Sequence, residues 1–221
     1  VGGAVLALRR SRRAAINAAA GLGADLALAL SGVRVRAVGL EHLERRPAVF
    51  VFNHQSSLDM FVVAKLLRRD ITGVAKKELA TDPRFALIGY LGDMAYVDRS
   101  DSAKAREAVT PVVEKLRGGI SLAIAPEGTR SPSPRLGPFK KGAFHLAMQA
   151  GVPVTPIVIR NAGDLVWRNT MVVHPGTVDV AVLPPIDVSD WTADELGKRV
   201  DDVRQQMADV LDRWPAITSR Q

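Results

Sequence analysis

Residues 48–59 read AVFVFNHQSSLD and residues 120–130 read ISLAIAPEGTR. Each stretch opens with a short continuous apolar run and passes at once into a polar cluster. Unbroken apolar runs of roughly four to eight residues mark strands buried on both faces, as in a parallel sheet. Polar residues directly after such strands fall at the carboxyl edge of the sheet, where open α/β folds bind their ligands.

Outward from these stretches, strand and helix patterns alternate. VRVRAV (33–38) alternates with period two and reads as a half-buried strand. ITGVA (71–75), MAYV (94–97), VPVTPIVI (152–159) and TVDVAVL (177–183) are further strand candidates. Ser56 or Ser57 can cap a helix through LDMFVVAKLLR. A helical stretch is expected around Phe85–Leu91. Ala105, Val109, Val112, Val113 and Leu116 form one helical stripe that Gly118-Gly119 ends and that Pro111 should kink or shorten. Phe139–Ala150 reads as a helix stopped by Gly151, and Thr192-x-x-Glu195 as a capping box before a final amphipathic helix. Strands separated by helices predict an α/β fold with a mostly parallel central sheet flanked by helices. The 221 residues suffice for one such domain. The expected organisation is a basic, apolar N-terminal helical segment over 1–40 and the α/β domain over 41–221.

Composition narrows the function. With 47% hydrophobic and 24% charged residues the chain is neither disordered nor fibrous. The absence of cysteine excludes disulfides, cysteine zinc sites, iron–sulfur ligation and a thiol nucleophile. The net charge of +7 is concentrated: residues 1–40 hold six arginines against Asp25 alone. A basic end on a nearly neutral body suits an anionic surface. Nucleic acid is not expected, because aromatics are only 5% and the other arginines form no stripe or known binding signature. The chain opens on Val1, and VGGAVLAL reads as the end of a longer hydrophobic segment whose cytoplasmic flank is RRSRR. Asn17 and Asp25 interrupt the apolar run over 14–31. That run is expected to be an interfacial amphipathic helix or a helix packed on the domain rather than a membrane span. The expected location is the cytoplasmic face of a membrane.

Three polar clusters carry the candidate chemistry: Asn53–Asp59, Asp98-Arg99 and Pro126–Ser131. His54 and Asp59 are five residues apart, about 140° around a continuous helix, and would not meet on one. If the helix starts at Ser56 or Ser57, Asp59 in its first turn can reach back to an imidazole in the preceding turn. An aspartate accepting from one ring nitrogen leaves the other free as a base. Gly128 permits a left-handed backbone, and Arg130 offers a planar fork suited to phosphate. Glu127 can hold an arginine or bond a hydroxyl. His42, His145 and His174 lack metal-ligand spacing, and no metal is expected.

Together these blocks resemble the 1-acylglycerol-3-phosphate (lysophosphatidic acid) acyltransferase family, within the glycerolipid acyltransferases. Its Asn-His-x4-Asp block is matched by Asn53, His54 and Asp59. Its Asp-Arg block is matched by Tyr96-Val97-Asp98-Arg99, with Asp93 where a glycine is usual. Its Phe-Pro-Glu-Gly-Thr-Arg-Ser block is matched from Pro126, with Ala125 where the phenylalanine is usual. Val152-Pro153-Val154-Thr155-Pro156-Ile157 and Lys76-Lys77-Glu78-Leu79 match two further stretches.

The resemblance spans residues 45–160 and implies the glycerolipid acyltransferase fold and an O-acyltransferase with no cofactor. An acyl group would pass from acyl-CoA or acyl carrier protein to the free hydroxyl of a lysophospholipid acceptor on an anionic membrane, forming phosphatidic acid. It implies His54 as general base oriented by Asp59, with Lys76, Arg99, Glu127, Gly128, Thr129 and Arg130 binding substrate. Ser56 and Ser57 are read as caps rather than nucleophiles, and N–H groups near the helix start as candidate oxyanion donors. Three other outcomes stay open: another lysolipid or glycolipid acceptor, a transacylase or thioesterase, and a non-catalytic membrane-binding protein.

Overall fold

The computed structural model describes residues 2–76, 94–97, 102–131, 133, 135–166, 170 and 172–214, with side chains omitted for 2–12, 76, 97 and 102–109. The chain begins with helix α1 (Gly2–Leu30), followed by strand β1 (Val33–Val38), a short 3-10 turn (Leu40–Glu44), β2 (Val49–Phe52) and α2 (Leu58–Leu67). Then come β3 (Ile71–Lys76), β4 (Ala95–Val97), α3 (Ser102–Arg117), β5 (Ser121–Ile124) and α4 (Gly142–Ala150). The chain continues through β6 (Val154–Arg160), α5 (Ala162–Leu165), β7 (Gly176–Val182) and α6 (Leu196–Asp212).

The strands form one sheet in the order β1-β7-β6-β2-β5-β3-β4. From β6 to β4 all neighbours are parallel. β7 runs antiparallel to β6, and β1 parallel to β7, so the sheet is mostly parallel with one reversed edge. β1 falls within the stretch expected to precede the α/β domain, yet it pairs with β7 from Val33 to Val38.

β2 lies at the centre, and all four of its residues are buried. Val49 and Val51 face a core built with Leu116, Phe144, Leu196, Val203 and Met207. Phe50 and Phe52 face the opposite core, built with Leu28, Leu58, Val62 and Leu67. Burial on both faces is why AVFVF shows no alternation. The parallel pairing puts the carboxyl ends of β2, β5, β3, β4 and β6 on one edge of the sheet.

Several local expectations are corrected. α3 runs unbroken through Pro111, whose exposed ring lies on the solvent side of the helix. The final helix begins at Leu196, later than the capping box implied. Glu195 N–H meets Thr192 Oγ1 at 3.4 Å, but the Glu195 carboxylate takes the Thr192 hydroxyl at 3.4 Å. α4 starts at Gly142, and Gly151 ends it in the left-handed conformation with φ 68°. The helical stretch expected around Phe85–Leu91 lies outside the described residues.

α1 explains the polar residues that interrupt its apolar pattern. Asp25 receives Lys65 at 2.5 Å and Arg68 at 2.7 Å, both from α2 and its end. Hydrogen bonds from those two cations hold its carboxyl below the usual carboxylate range. Arg13 and Asn17 both reach Asp70, at 2.8 and 3.3 Å. Ala24 and Leu28 are buried, while Leu22, Leu26 and Leu30 are exposed. By length and composition residues 13–30 would suffice to cross a membrane. The ion pairs hold the helix against α2, with one leucine row uncovered.

Candidate active site

The turn between β2 and α2 brings the first block together. Asn53 is fully buried: its amide donates to Ile159 O at 2.8 Å and its carbonyl accepts from Ile159 N–H at 2.7 Å. It thus stitches the end of β2 to β6. His54 leaves the strand there, and α2 begins four residues later. Nδ1 of His54 lies 2.8 Å from Asp59 Oδ2. The same oxygen accepts the backbone N–H groups of Gln55 at 2.7 Å and Ser56 at 2.8 Å. Asp59 is 0% exposed, whereas the His54 side chain keeps 21% of its surface. A buried carboxylate accepting two N–H groups remains an acceptor for the ring. This assigns the ring proton to Nδ1 and leaves Nε2 as the basic nitrogen.

Of the two serines expected to cap the helix, Ser56 supplies the side-chain bond. Ser57 is the cap residue but makes no side-chain cap bond. Ser56 Oγ instead accepts Leu58 N–H at 3.2 Å and donates its proton to Val166 O at 3.1 Å. A buried hydroxyl engaged on both sides has no role as a nucleophile. The N–H groups of Gln55, Ser56, Leu58 and Asp59 are all used inside the turn, which removes them as oxyanion donors.

The loop after β5 closes over the same histidine. His54 N–H donates to Glu127 Oε1 at 2.9 Å, and Ser131 N–H donates to His54 O at 2.7 Å. Glu127 Oε2 accepts Gly137 N–H at 3.0 Å. Gly128 sits at φ 75°, a conformation that favours glycine. Thr129 is exposed and Arg130 half-buried, with no carboxylate in ion-pair range of Arg130 among the described residues.

The structure therefore brings His54, Asp59, Glu127, Gly128, Thr129 and Arg130 to one edge of the sheet. Lys76 ends β3 on that edge, paired through its backbone with Val97, but its side chain is outside the described part, as is all of Arg99. One basic residue escaped the sequence reading. Lys140 donates its N–H to Pro126 O at 2.9 Å, and its side chain folds over Gly128, where a Cβ would meet Nζ at 3.0 Å. Only the turn geometry reveals that contact; Lys140-Lys141 in the sequence looks like an ordinary helix approach.

Comparison with known proteins bears on the family and the fold. A family model described as Acyltransferase matches residues 34–160. A 1-acyl-sn-glycerol-3-phosphate acyltransferase of Saccharomyces cerevisiae is 36% identical over 81% of this chain and 60% of its own length. The human 1-acyl-sn-glycerol-3-phosphate acyltransferase alpha is 34% identical over 82% of this chain and 65% of its own. The chain thus spans about three fifths of the length of the curated relatives it matches. The crystal structure of the 1-acyl-sn-glycerophosphate (LPA) acyltransferase PlsC from Thermotoga maritima superposes with a TM-score of 0.77 at 26% identity, covering 96% of this chain and 89% of that one.

Proposed function

Because this chain belongs to the acyltransferase family, we propose that it moves a fatty acyl group from an acyl thioester to the free hydroxyl of 1-acylglycerol-3-phosphate, forming phosphatidic acid. The thioester is acyl-CoA or acyl carrier protein. The observation that carries the proposal is the 2.8 Å bond from His54 to Asp59 at the carboxyl edge of the sheet, beside a turn bearing Arg130.

In this mechanism Nε2 of His54 takes the proton of the acceptor hydroxyl as its oxygen attacks the thioester carbonyl. The tetrahedral adduct collapses, the C–S bond breaks, and the departing thiolate recovers a proton from the imidazolium. The hydroxyl itself is the nucleophile, so no acyl-enzyme is needed. This is consistent with a chain that has no cysteine and whose Ser56 hydroxyl is engaged on both sides. Asp59 keeps the proton on Nδ1 and stabilises the cation that forms. Arg130, together with Lys76 and Arg99, is assigned to the acceptor phosphate, where guanidinium forks are strong partners. Gly128 and Thr129 shape the turn that presents Arg130.

Membrane docking belongs to the same proposal. Arg9, Arg10 and Arg12 suit an anionic cytoplasmic leaflet, Arg13 being paired with Asp70, and the exposed row Leu22, Leu26 and Leu30 suits its interface.

The decisive experiment is an acyl-transfer assay in mixed micelles. Lysophosphatidate is compared with lysophosphatidylcholine, lysophosphatidylglycerol and a glycolipid acceptor, and with no acceptor at all. The proposal expects transfer to dominate with lysophosphatidate. Thioester consumption that is independent of acceptor would make the protein a thioesterase and sink it.

A further inference from the structure

Glu127 is the most informative group that the proton-transfer scheme leaves without a task. It is 8% exposed, and each carboxylate oxygen accepts a backbone N–H: Oε1 from His54 at 2.9 Å and Oε2 from Gly137 at 3.0 Å. No cation lies in ion-pair range among the described residues. The charge is held by peptide dipoles, and such charge-assisted bonds are short and strong. Gly137 makes the approach possible, since a Cβ there would lie 3.3 Å from Oε2.

We propose that Glu127 is a positioning residue for His54 and not a ligand for the acceptor. Four residues further on, Ser131 N–H bonds the carbonyl of His54 at 2.7 Å. One turn after β5 therefore grips both the N–H and the C=O of the base's own residue. β2 and β5 are adjacent parallel strands, so this grip ties their two carboxyl ends together. Asp59 sets the rotation of the imidazole, and Glu127 with Ser131 sets the backbone from which it hangs. Arg130 rides on the same turn, between the two gripping residues. The clamp thus fixes the base relative to the phosphate-binding arginine, and catalytic groups displaced by as little as about 1 Å lose large factors in rate.

The inference rests on the acyl-transfer mechanism, but its test does not depend on that alone. Glu127→Gln keeps shape and volume but can accept with only one oxygen, so its amide faces a backbone donor. The expected result is a kcat lower by about 10- to 100-fold, with a smaller rise in KM for lysophosphatidate, since Arg130 shares the turn, and KM for the thioester within about twofold of the parent. Gly137→Ala, which pushes on Oε2 without removing charge, should show the same split more mildly. It serves if the glutamine variant folds poorly by circular dichroism. The second readout needs no substrate: the 15N spectrum of the His54 ring should show a single Nδ1–H tautomer in the parent and a mixed or broadened signal in Glu127→Gln. A raised KM for lysophosphatidate with unchanged kcat would make Glu127 an acceptor ligand and overturn the proposal. Unchanged kinetics with an unchanged ring spectrum would overturn it equally. Absence of acyl transfer by the parent, with the ring spectrum still responding to the variant, would instead count against the catalytic mechanism alone.

Discussion

Asp59 Oδ2 serves three donors at once: the ring of His54, five residues earlier, and the N–H groups of Gln55 and Ser56 between them. The carboxylate therefore shapes the turn and orients the base with one atom. His54→Ala should lower kcat by about 10²–10⁴, the usual range for a lost general base. Asp59→Asn should be comparably severe in kcat, because a neutral amide stabilises the imidazolium far less, and should also lower Tm, because its NH2 takes the place of Oδ1, a buried atom with no hydrogen-bond partner among the described residues. Steady-state kinetics with a thermal melt checks both. An active His54→Ala would remove the residue from catalysis.

Arg130 lies on a turn beside His54 with no carboxylate partner among the described residues. A guanidinium–phosphate contact is worth about 1.5–3 kcal/mol, so Arg130→Ala should raise KM for lysophosphatidate by about tenfold or more. KM for the thioester should hardly move. The opposite split would transfer Arg130 to the donor.

Gly128 combines φ 75° with the Lys140 side chain folded against it. Gly128→Ala should cost about 1–2 kcal/mol through the left-handed backbone. Lys140 is a flexible chain and can yield, so the steric part should be small. Chemical denaturation gives the stability change, and a cost above about 3 kcal/mol would show that the turn cannot relax.

Asp25 holds α1 against α2 through Lys65 and Arg68, which keep its carboxyl below the ordinary range. A depressed folded-state value adds stability above the unfolded pKa of about 3.9 and loses it as pH falls through the folded value. α1 should therefore loosen below about pH 4, and Asp25→Asn should loosen it at neutral pH. Hydrogen exchange within residues 13–30 measures this; equal protection in parent and variant would deny the pairs a role in docking.

Membrane binding should separate into two terms. Replacing Arg9, Arg10 and Arg12 by Gln should weaken binding to anionic vesicles at low salt, by about 1 kcal/mol per arginine. Replacing Leu22, Leu26 and Leu30 by Ser should weaken binding at high salt as well, where the charge term is screened. These substitutions are cleaner than removing α1, because Leu28 is part of a buried core. Co-sedimentation that is equal for all three proteins would place the docking surface elsewhere.

The sheet and the dyad were legible in the chain for a local reason. A strand buried on both faces has to be apolar throughout, so AVFVF and SLAI announce themselves, and the polar residues after them must lie at the edge. His54 and Asp59 lie within one turn, and a helix start at Leu58 is enough to let them meet. Asn17 and Asp25 were visible as interruptions, but their purpose lies in Asp70, Lys65 and Arg68, far along the chain. Strand order was equally hidden, because hydropathy patterns do not say which strands become neighbours. The antiparallel β6–β7 pair and the return of β1 to β7 exist only once the sheet is assembled. The grip of Glu127 on His54 joins residues 73 positions apart. A glutamate read in sequence is a charge free to bind a hydroxyl or an arginine; only the approach of two strand ends turns it into an acceptor for buried backbone N–H groups, which must find partners once they leave water.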